Sequence, residues 1–279
     1  MTGMVLCKRE SARVRTGGVG MVKAKSDRPG RLPAFDTPAR TYPEAPVRRP
    51  VLIVGGSHTL AVRNGLSREQ RPHIAIINLR QPKFASLFDE EVPTPALARA
   101  FQPKGVISMI GGNTHHAYGL FEHPEPYDFV APENSALAEG RRTIIPYAAM
   151  LAMMRVSLAR HCTAISALKS LFSCPVYQIL APPPICDVRF LLEEPGTFGE
   201  RAQYGLAPVS LRLKLFNLQN RVFRSHCEEL GMPVIEPPAE ALDAEGCLLP
   251  QFADPDGTHA NSDYGHLLVP RILETNHGA

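Results

Sequence analysis

The sequence predicts an α/β protein built on a parallel sheet with helices on both faces. Three observations carry that reading. Short continuous apolar runs, such as VLIV at 51–54, suit strands buried on both sides. They alternate with amphipathic stretches at helical spacing, the order that generates parallel strands. A chain of 279 residues with 44% hydrophobic content supplies one sizeable core.

The elements follow in order. Residues 1–48 carry Gly, Pro, Arg and Ser without sustained periodicity, and a disordered basic leader is expected there, ahead of one domain over 49–279. The first strand, Val51 to Val54, runs into Gly55-Gly56-Ser57-His58, and a short helix is expected from Thr59 to Leu66. HIAIINL (73–79) reads as a second strand, PALARAF (95–101) as a short helix, and GVISMIGG (105–112) as a third strand. A long helix is expected over 146–172, with Leu151, Met154, Leu158, Cys162, Ile165 and Leu168 as its apolar stripe and Pro146 in its first turn. PVYQILAPPP (175–184) reads as a fourth strand, 209–230 as a helix closed by Gly231, MPVIEPP as a fifth strand, and 262–273 as the last helix.

Charge is unevenly distributed. Residues 1–50 hold 11 of the 30 Lys and Arg but only four of the 27 acids, which leaves the body with 19 basic against 23 acidic residues. No basic face for nucleic acid is therefore expected. No apolar run is long enough for a membrane span. The N-terminal segment lacks the apolar stretch of a secretory signal, so a cytoplasmic location is expected. The cysteines at 7, 162, 174, 186, 227 and 247 form no C-x-x-C pair. They are expected to be reduced, mostly buried thiols, with neither a metal nor a cofactor.

Ligands in parallel α/β sheets sit beyond the carboxyl ends of the strands. GGSHT and GGN at 111–113 both fall on that rim. The spacing of Gly55, Gly56 and Gly65 matches neither a dinucleotide fingerprint nor a P-loop. A serine at such a place ordinarily caps a helix. To act as a nucleophile it needs an imidazole and an orienting acid. ADPDGTHANSDYG supplies Asp256 and His259 in a turn ahead of the last helix. Asn113 offers a side-chain amide, and Ser57 a backbone N–H, to a developing oxyanion.

Taken together, GGSHT, IGGN and DGTHANSDYG resemble the motifs of the SGNH (GDSL-like) hydrolase superfamily, over roughly Val51 to Leu273. The resemblance implies a three-layer α/β/α, flavodoxin-like fold with a five-stranded parallel sheet. It implies Ser57 as nucleophile, His259 as base, Asp256 as its orienting acid, and Ser57 and Asn113 as oxyanion donors, with Gly111 shaping the turn. His58, Gly111, Gly112, His115 and His116 are expected to line the substrate pocket, and 115–130 to form either one of its walls or a surface loop with a few anchors. The implied activity is hydrolysis of acyl esters, acetyl or carbohydrate O-acyl esters included. The alternatives are acyl transfer on the same scaffold and a catalytically weakened binding protein. Two positions depart from the family pattern. Gly56 stands where an Asp is usual, and no glycine occurs between Gly65 and Gly105 to supply a further backbone donor.

Overall fold

The computed structural model describes residues 49–194 and 199–275. The expected leader, and Cys7 within it, lie outside the described residues. In chain order the elements are β1 (Val51–Gly55), α1 (Thr59–Gly65), β2 (Ile74–Asn78), β3 (Phe88–Asp89), β4 (Val92–Pro93), α2 (Pro95–Ala100), β5 (Gly105–Met109) and α3 (Thr114–Gly119). They continue with β6 (Tyr127–Asp128), β7 (Thr143–Ile144), α4 (Tyr147–Leu171), β8 (Val176–Ile179), α5 (Phe190–Glu193), α6 (Gly199–Ala202), α7 (Val209–Glu229), β9 (Val234–Ile235) and α8 (Ser262–Glu274).

Five of these strands form one sheet in the order β2-β1-β5-β8-β9, and every pair is parallel. Side chains alternate across a strand, so β1 feeds two cores. Leu52 and Val54 pack with Leu97, Met154, Leu158, Leu211 and Leu215 of α2, α4 and α7. Val51 and Ile53 pack on the other face with Val62, Leu268 and Val269 of α1 and α8. The result is the three-layer α/β/α fold with a five-stranded parallel sheet that the sequence implied.

Helices α1 and α8 cross at backbone distance. A Cβ on Gly265 would lie 1.9 Å from the Ala61 carbonyl oxygen, and one on Gly65 2.5 Å from the His266 nitrogen. Only glycine permits that approach. It holds the helix after Ser57 against the helix after His259.

Several details differ from expectation. Helix α4 starts at Tyr147, with Pro146 as its N-cap rather than in its first turn. Its buried stripe runs through Met150, Met154, Leu158, Ala164, Ile165 and Leu168, while Leu151 and Cys162 are only half-buried. The third strand ends at Met109, so Gly111 and Gly112 belong to the loop beyond it. Strand β9 is only two residues long.

The cysteine expectation is corrected at two positions. Cys186 and Cys247 form a disulfide, with Cα atoms 5.7 Å apart, that ties the loop after β8 to the segment after β9. A sequence separation of 61 conceals that pairing in the sequence. Cys162, Cys174 and Cys227 are free thiols.

The segment 115–130 divides: His116, Ala117 and Phe121 line a cavity, and much of the rest is structural. Tyr118 meets Ser157 Oγ at 2.6 Å, and Tyr127 donates to the Tyr118 carbonyl at 2.9 Å. Asp128 is fully buried against the equally buried Lys214. The Lys214 ammonium donates to Asp128 Oδ1, to the Phe129 carbonyl at 2.9 Å and to the Ala136 carbonyl at 3.0 Å. Asp128 accepts the N–H of Phe129 at 2.7 Å and of Ala138 at 2.8 Å. Every donor of the ammonium is thus matched, which is what burial of an ion pair demands.

Candidate active site

The two glycines after β1 have different physical roles. Gly55 is inside the sheet, where a Cβ would come within 2.5 Å of the Met109 carbonyl oxygen on β5. Gly56 is in open space, with nothing within 4 Å of a Cβ and a backbone outside the left-handed region. The chain turns there and presents Ser57 at the head of α1.

Ser57 Oγ lies 2.7 Å from His259 Nε2, across 202 residues of sequence. His259 Nδ1 lies 2.5 Å from Asp256 Oδ2. The turn that folds Asp256 and His259 together passes through Gly257, at φ 76°. A Cβ at Gly257 would also meet Leu191 Cδ1 at 2.7 Å. Asp256 Oδ1 accepts the N–H groups of Thr258 at 2.8 Å and His259 at 2.9 Å. Burial favours the neutral acid, but the hydrogen bonds from the His259 ring and from these N–H groups outweigh it and hold Asp256 at a pKa of about 2. An ionised carboxylate only accepts, so Nδ1 carries the His259 proton and Nε2 offers its lone pair to the Ser57 hydroxyl. Asn261 secures the end of this turn. Its Oδ1 caps α8 through the N–H groups of Asp263 and Tyr264, and its Nδ2 donates to the Gln251 carbonyl at 2.7 Å.

Asn113 stands at the head of α3. Its Oδ1 is 2.7 Å from His58 Nε2, and its Nδ2 donates to the Thr258 carbonyl at 3.3 Å. A carbonyl cannot donate, so the amide has one orientation and His58 donates through Nε2–H. Burial and the neighbouring His259 press the His58 pKa down to about 4, so the ring is neutral near pH 7.

Gly111 and Gly112 line a cavity of about 120 Å³ together with Ser57, His58, Asn113 and His259. Gly111 has φ +130°, and a Cβ there would strike the Phe223 ring at 2.8 Å. His116 lines an adjoining cavity of about 770 Å³ that also touches Asn113 and Thr258. His115 is a correction. Its ring is buried against α7, with Nδ1 3.2 Å from Gln219 Oε1 and an edge-on contact to Phe216, and it faces neither cavity. Arg80, Glu91 and His161 also line the smaller cavity. No local motif marks them, because they arrive from the loop after β2, the β3–β4 turn and the middle of α4.

Among the described residues, Cys186, Asp243 and Cys247 bring possible metal ligands within 4.8 Å of one another, but the two sulfurs are bonded to each other. No helix among the described residues is long and apolar enough to cross a membrane.

The open space at Gly56 carries a prediction. Gly56→Asp is expected to fold and to gain about 0.4–1 kcal/mol from a less flexible unfolded chain. A carboxylate there can accept hydrogen bonds and brace the turn beside Ser57, so kcat is expected to rise. Melting curves and kcat/KM on one ester, wild type against variant, check both parts.

No protein-family model and no curated protein matches the chain. Solved structures resemble it at low identity. A proposed acylhydrolase from Bacteroides fragilis is 14% identical, with a TM-score of 0.48 over 86% of this chain and 92% of that one. A GDSL-like lipase from Bacteroides thetaiotaomicron is 13% identical, with a TM-score of 0.47 over 84% of this chain and 91% of that one. A carbohydrate acetylesterase family member from Sinorhizobium meliloti is 11% identical, with a TM-score of 0.41 over 82% of this chain and 99% of that one.

Proposed function

We propose that the protein is an SGNH-type serine hydrolase that cleaves short acyl esters through a covalent Ser57 intermediate. One observation carries this reading: the unbroken relay from Ser57 Oγ to His259 at 2.7 Å and from His259 to Asp256 at 2.5 Å. A hydroxyl becomes nucleophilic when an imidazole at this distance takes its proton.

The steps follow from the geometry. Ser57 Oγ attacks the ester carbonyl carbon as its proton passes to His259 Nε2. The carbonyl electron pair moves onto oxygen, to which the Ser57 N–H and Asn113 Nδ2 donate; both residues line the cavity. The tetrahedral adduct collapses and the bond to the alcohol oxygen breaks. That oxygen takes the proton from His259. Water repeats the sequence on the acyl-enzyme and releases the acid. Asp256 stays ionised throughout and stabilises the imidazolium. A cavity of about 120 Å³ at Ser57 suits an acetyl or similarly short acyl group, while the adjoining space of about 770 Å³ suits a larger alcohol such as a sugar.

The test is a panel of acetyl, butyryl and octanoyl esters together with O-acetylated sugars. Turnover confined to the short acyl groups supports the reading. Product that appears only with an added acceptor alcohol would make the protein a transferase. Binding without turnover and without Ser57 labelling would make it a binder.

His58 has a defined part in this scheme, because its Nε2–H binds Oδ1 and so fixes which end of the Asn113 amide is the NH₂ donor. His58→Phe keeps a ring but removes that donor. It is expected to lower kcat by roughly ten- to a hundredfold, as small displacements of a catalytic group do, with little change in KM. Steady-state kinetics on a neutral ester separate the two constants.

A further inference from the structure

The chain has no glycine after β2 to present a backbone donor to Ser57, and the loop there has no spare N–H. The Leu79 N–H binds the Gly55 carbonyl at 2.9 Å, and the Gln81 N–H binds the Asn78 carbonyl at 3.0 Å. The Arg80 N–H binds Asn78 Oδ1 at 3.0 Å, and residue 82 is proline. Every backbone donor from 79 to 82 is therefore committed or missing. Two donors of the expected oxyanion set are left. One is the Ser57 N–H, which has no hydrogen bond among the described residues. The other is Asn113 Nδ2, which already spends one proton on Thr258.

A cation stands beside them. Arg80 lines both the 120 Å³ cavity, with Ser57 and Asn113, and the 770 Å³ cavity, again with Asn113. Its side chain makes no ion pair or hydrogen bond among the described residues. Glu91 is on the wall of the smaller cavity too, carried by a turn in which Glu90 and Glu91 have φ 46° and 71°. The two charges are placed differently. Of the two, only Arg80 also lines the larger cavity, where Asn113 is again its neighbour on the wall. Guanidinium presents several N–H donors in a plane and never loses its charge near neutral pH.

We propose that the Arg80 guanidinium completes the oxyanion hole, donating to the carbonyl oxygen of the ester as that oxygen becomes negative. This rests on the hydrolase reading above. It makes Arg80 a catalytic residue whose contribution appears in the transition state rather than in substrate affinity.

The test uses the full-length chain and a neutral ester, p-nitrophenyl acetate, with wild type, Arg80→Ala, Arg80→Gln and Arg80→Lys. Loss of one oxyanion donor typically costs about 10²–10³ in kcat. Arg80→Ala and Arg80→Gln are expected to fall by that much with KM nearly unchanged, and Arg80→Lys to retain part of the rate. Guanidinium ion added at millimolar concentration is expected to restore part of the Arg80→Ala rate and none of the Asn113→Ala rate. Wild-type kcat in Arg80→Ala, with a rise in KM only for esters that carry an anionic group, would overturn the proposal and make Arg80 a substrate-anion binder. A fluorophosphonate distinguishes the two levels of failure. If it labels wild-type Ser57 while Arg80→Ala turns over as fast as wild type, only the Arg80 role falls. If wild type is neither labelled nor active, the hydrolase reading falls with it.

Discussion

Ester turnover is expected to drop by about 10⁴-fold or more when either Ser57 or His259 is replaced by alanine, and the double variant is expected to be scarcely worse than either single one. Members of a nucleophile–base pair act as a unit, so their losses do not add. The pair here is made by one hydrogen bond of 2.7 Å, and neither partner has a substitute within reach. The His58 ring centroid is 4.9 Å from that of His259, but its Nε2 proton is committed to Asn113 and its pKa near 4 makes it a poor base. A fluorophosphonate is expected to label wild-type Ser57 and to leave Ser57→Ala and His259→Ala unlabelled. Labelling of Ser57→Ala at the wild-type rate would place the reactive serine elsewhere. Asp256→Asn is expected to be milder than Ser57→Ala but still severe. It keeps the shape of the turn and removes the charge that fixes the His259 tautomer.

The largest stability effect is expected at Lys214. Lys214→Met removes the cation from a fully buried pair and leaves the Asp128 carboxylate without its counter-ion. Removal of one member of a buried pair costs about 3–5 kcal/mol. At roughly 2–4 °C per kcal/mol for a domain of this size, Tm is expected to fall by about 6–20 °C. Burial opposes ionisation of Asp128, yet the N–H groups of Ala138 and Phe129 together with Lys214 hold its pKa below the ordinary carboxylate value. A depressed carboxylate pKa stabilises the fold above the unfolded value, near 4, and that stabilisation is lost as pH falls through the folded value. The deficit of Lys214→Met relative to wild type is therefore expected to be full at pH 7 and to shrink below about pH 4. Adding Asp128→Asn to Lys214→Met is expected to recover part of the loss at pH 7. Thermal melts across pH 3–7 check the direction. A deficit independent of pH would mean that the loss comes from packing alone.

The parts legible in the sequence were those set by local rules. Apolar runs that end on glycine marked β1 and β5, and helical spacing marked α4, α7 and α8. Ser57, Asn113, Asp256 and His259 all sit at strand or helix ends within a few residues of turn-forming glycines, so short motifs carried them. The parts that stayed hidden depend on how distant segments pack. His115 follows Asn113 as closely as any pocket residue would, but α3 rotates it toward Gln219 and Phe216 of α7. The Cys186–Cys247 pair depends on two loops meeting at one end of the sheet. The β3–β4 turn places Glu90 and Glu91 at positive φ, where sequence preference favours Asn-Gly, so no turn signal announced it. No motif in the sequence singles out Arg80 or His161, which only the cavity gathers.

The glycine-to-backbone crossing of α1 and α8 sets an order of events at the ribosome. Synthesis delivers Ser57 among the first residues of the domain and Asp256, His259 and α8 among the last. Until α8 emerges, α1 lacks the helix that its Gly65 surface fits, and the Val51 and Ile53 face of the first strand lacks Leu268 and Val269. A nascent chain therefore displays Ser57 for most of its translation without His259 and Asp256. The Ser57–His259–Asp256 contacts form in the same docking step that closes the second core, so that arrangement and the last protective layer arrive together.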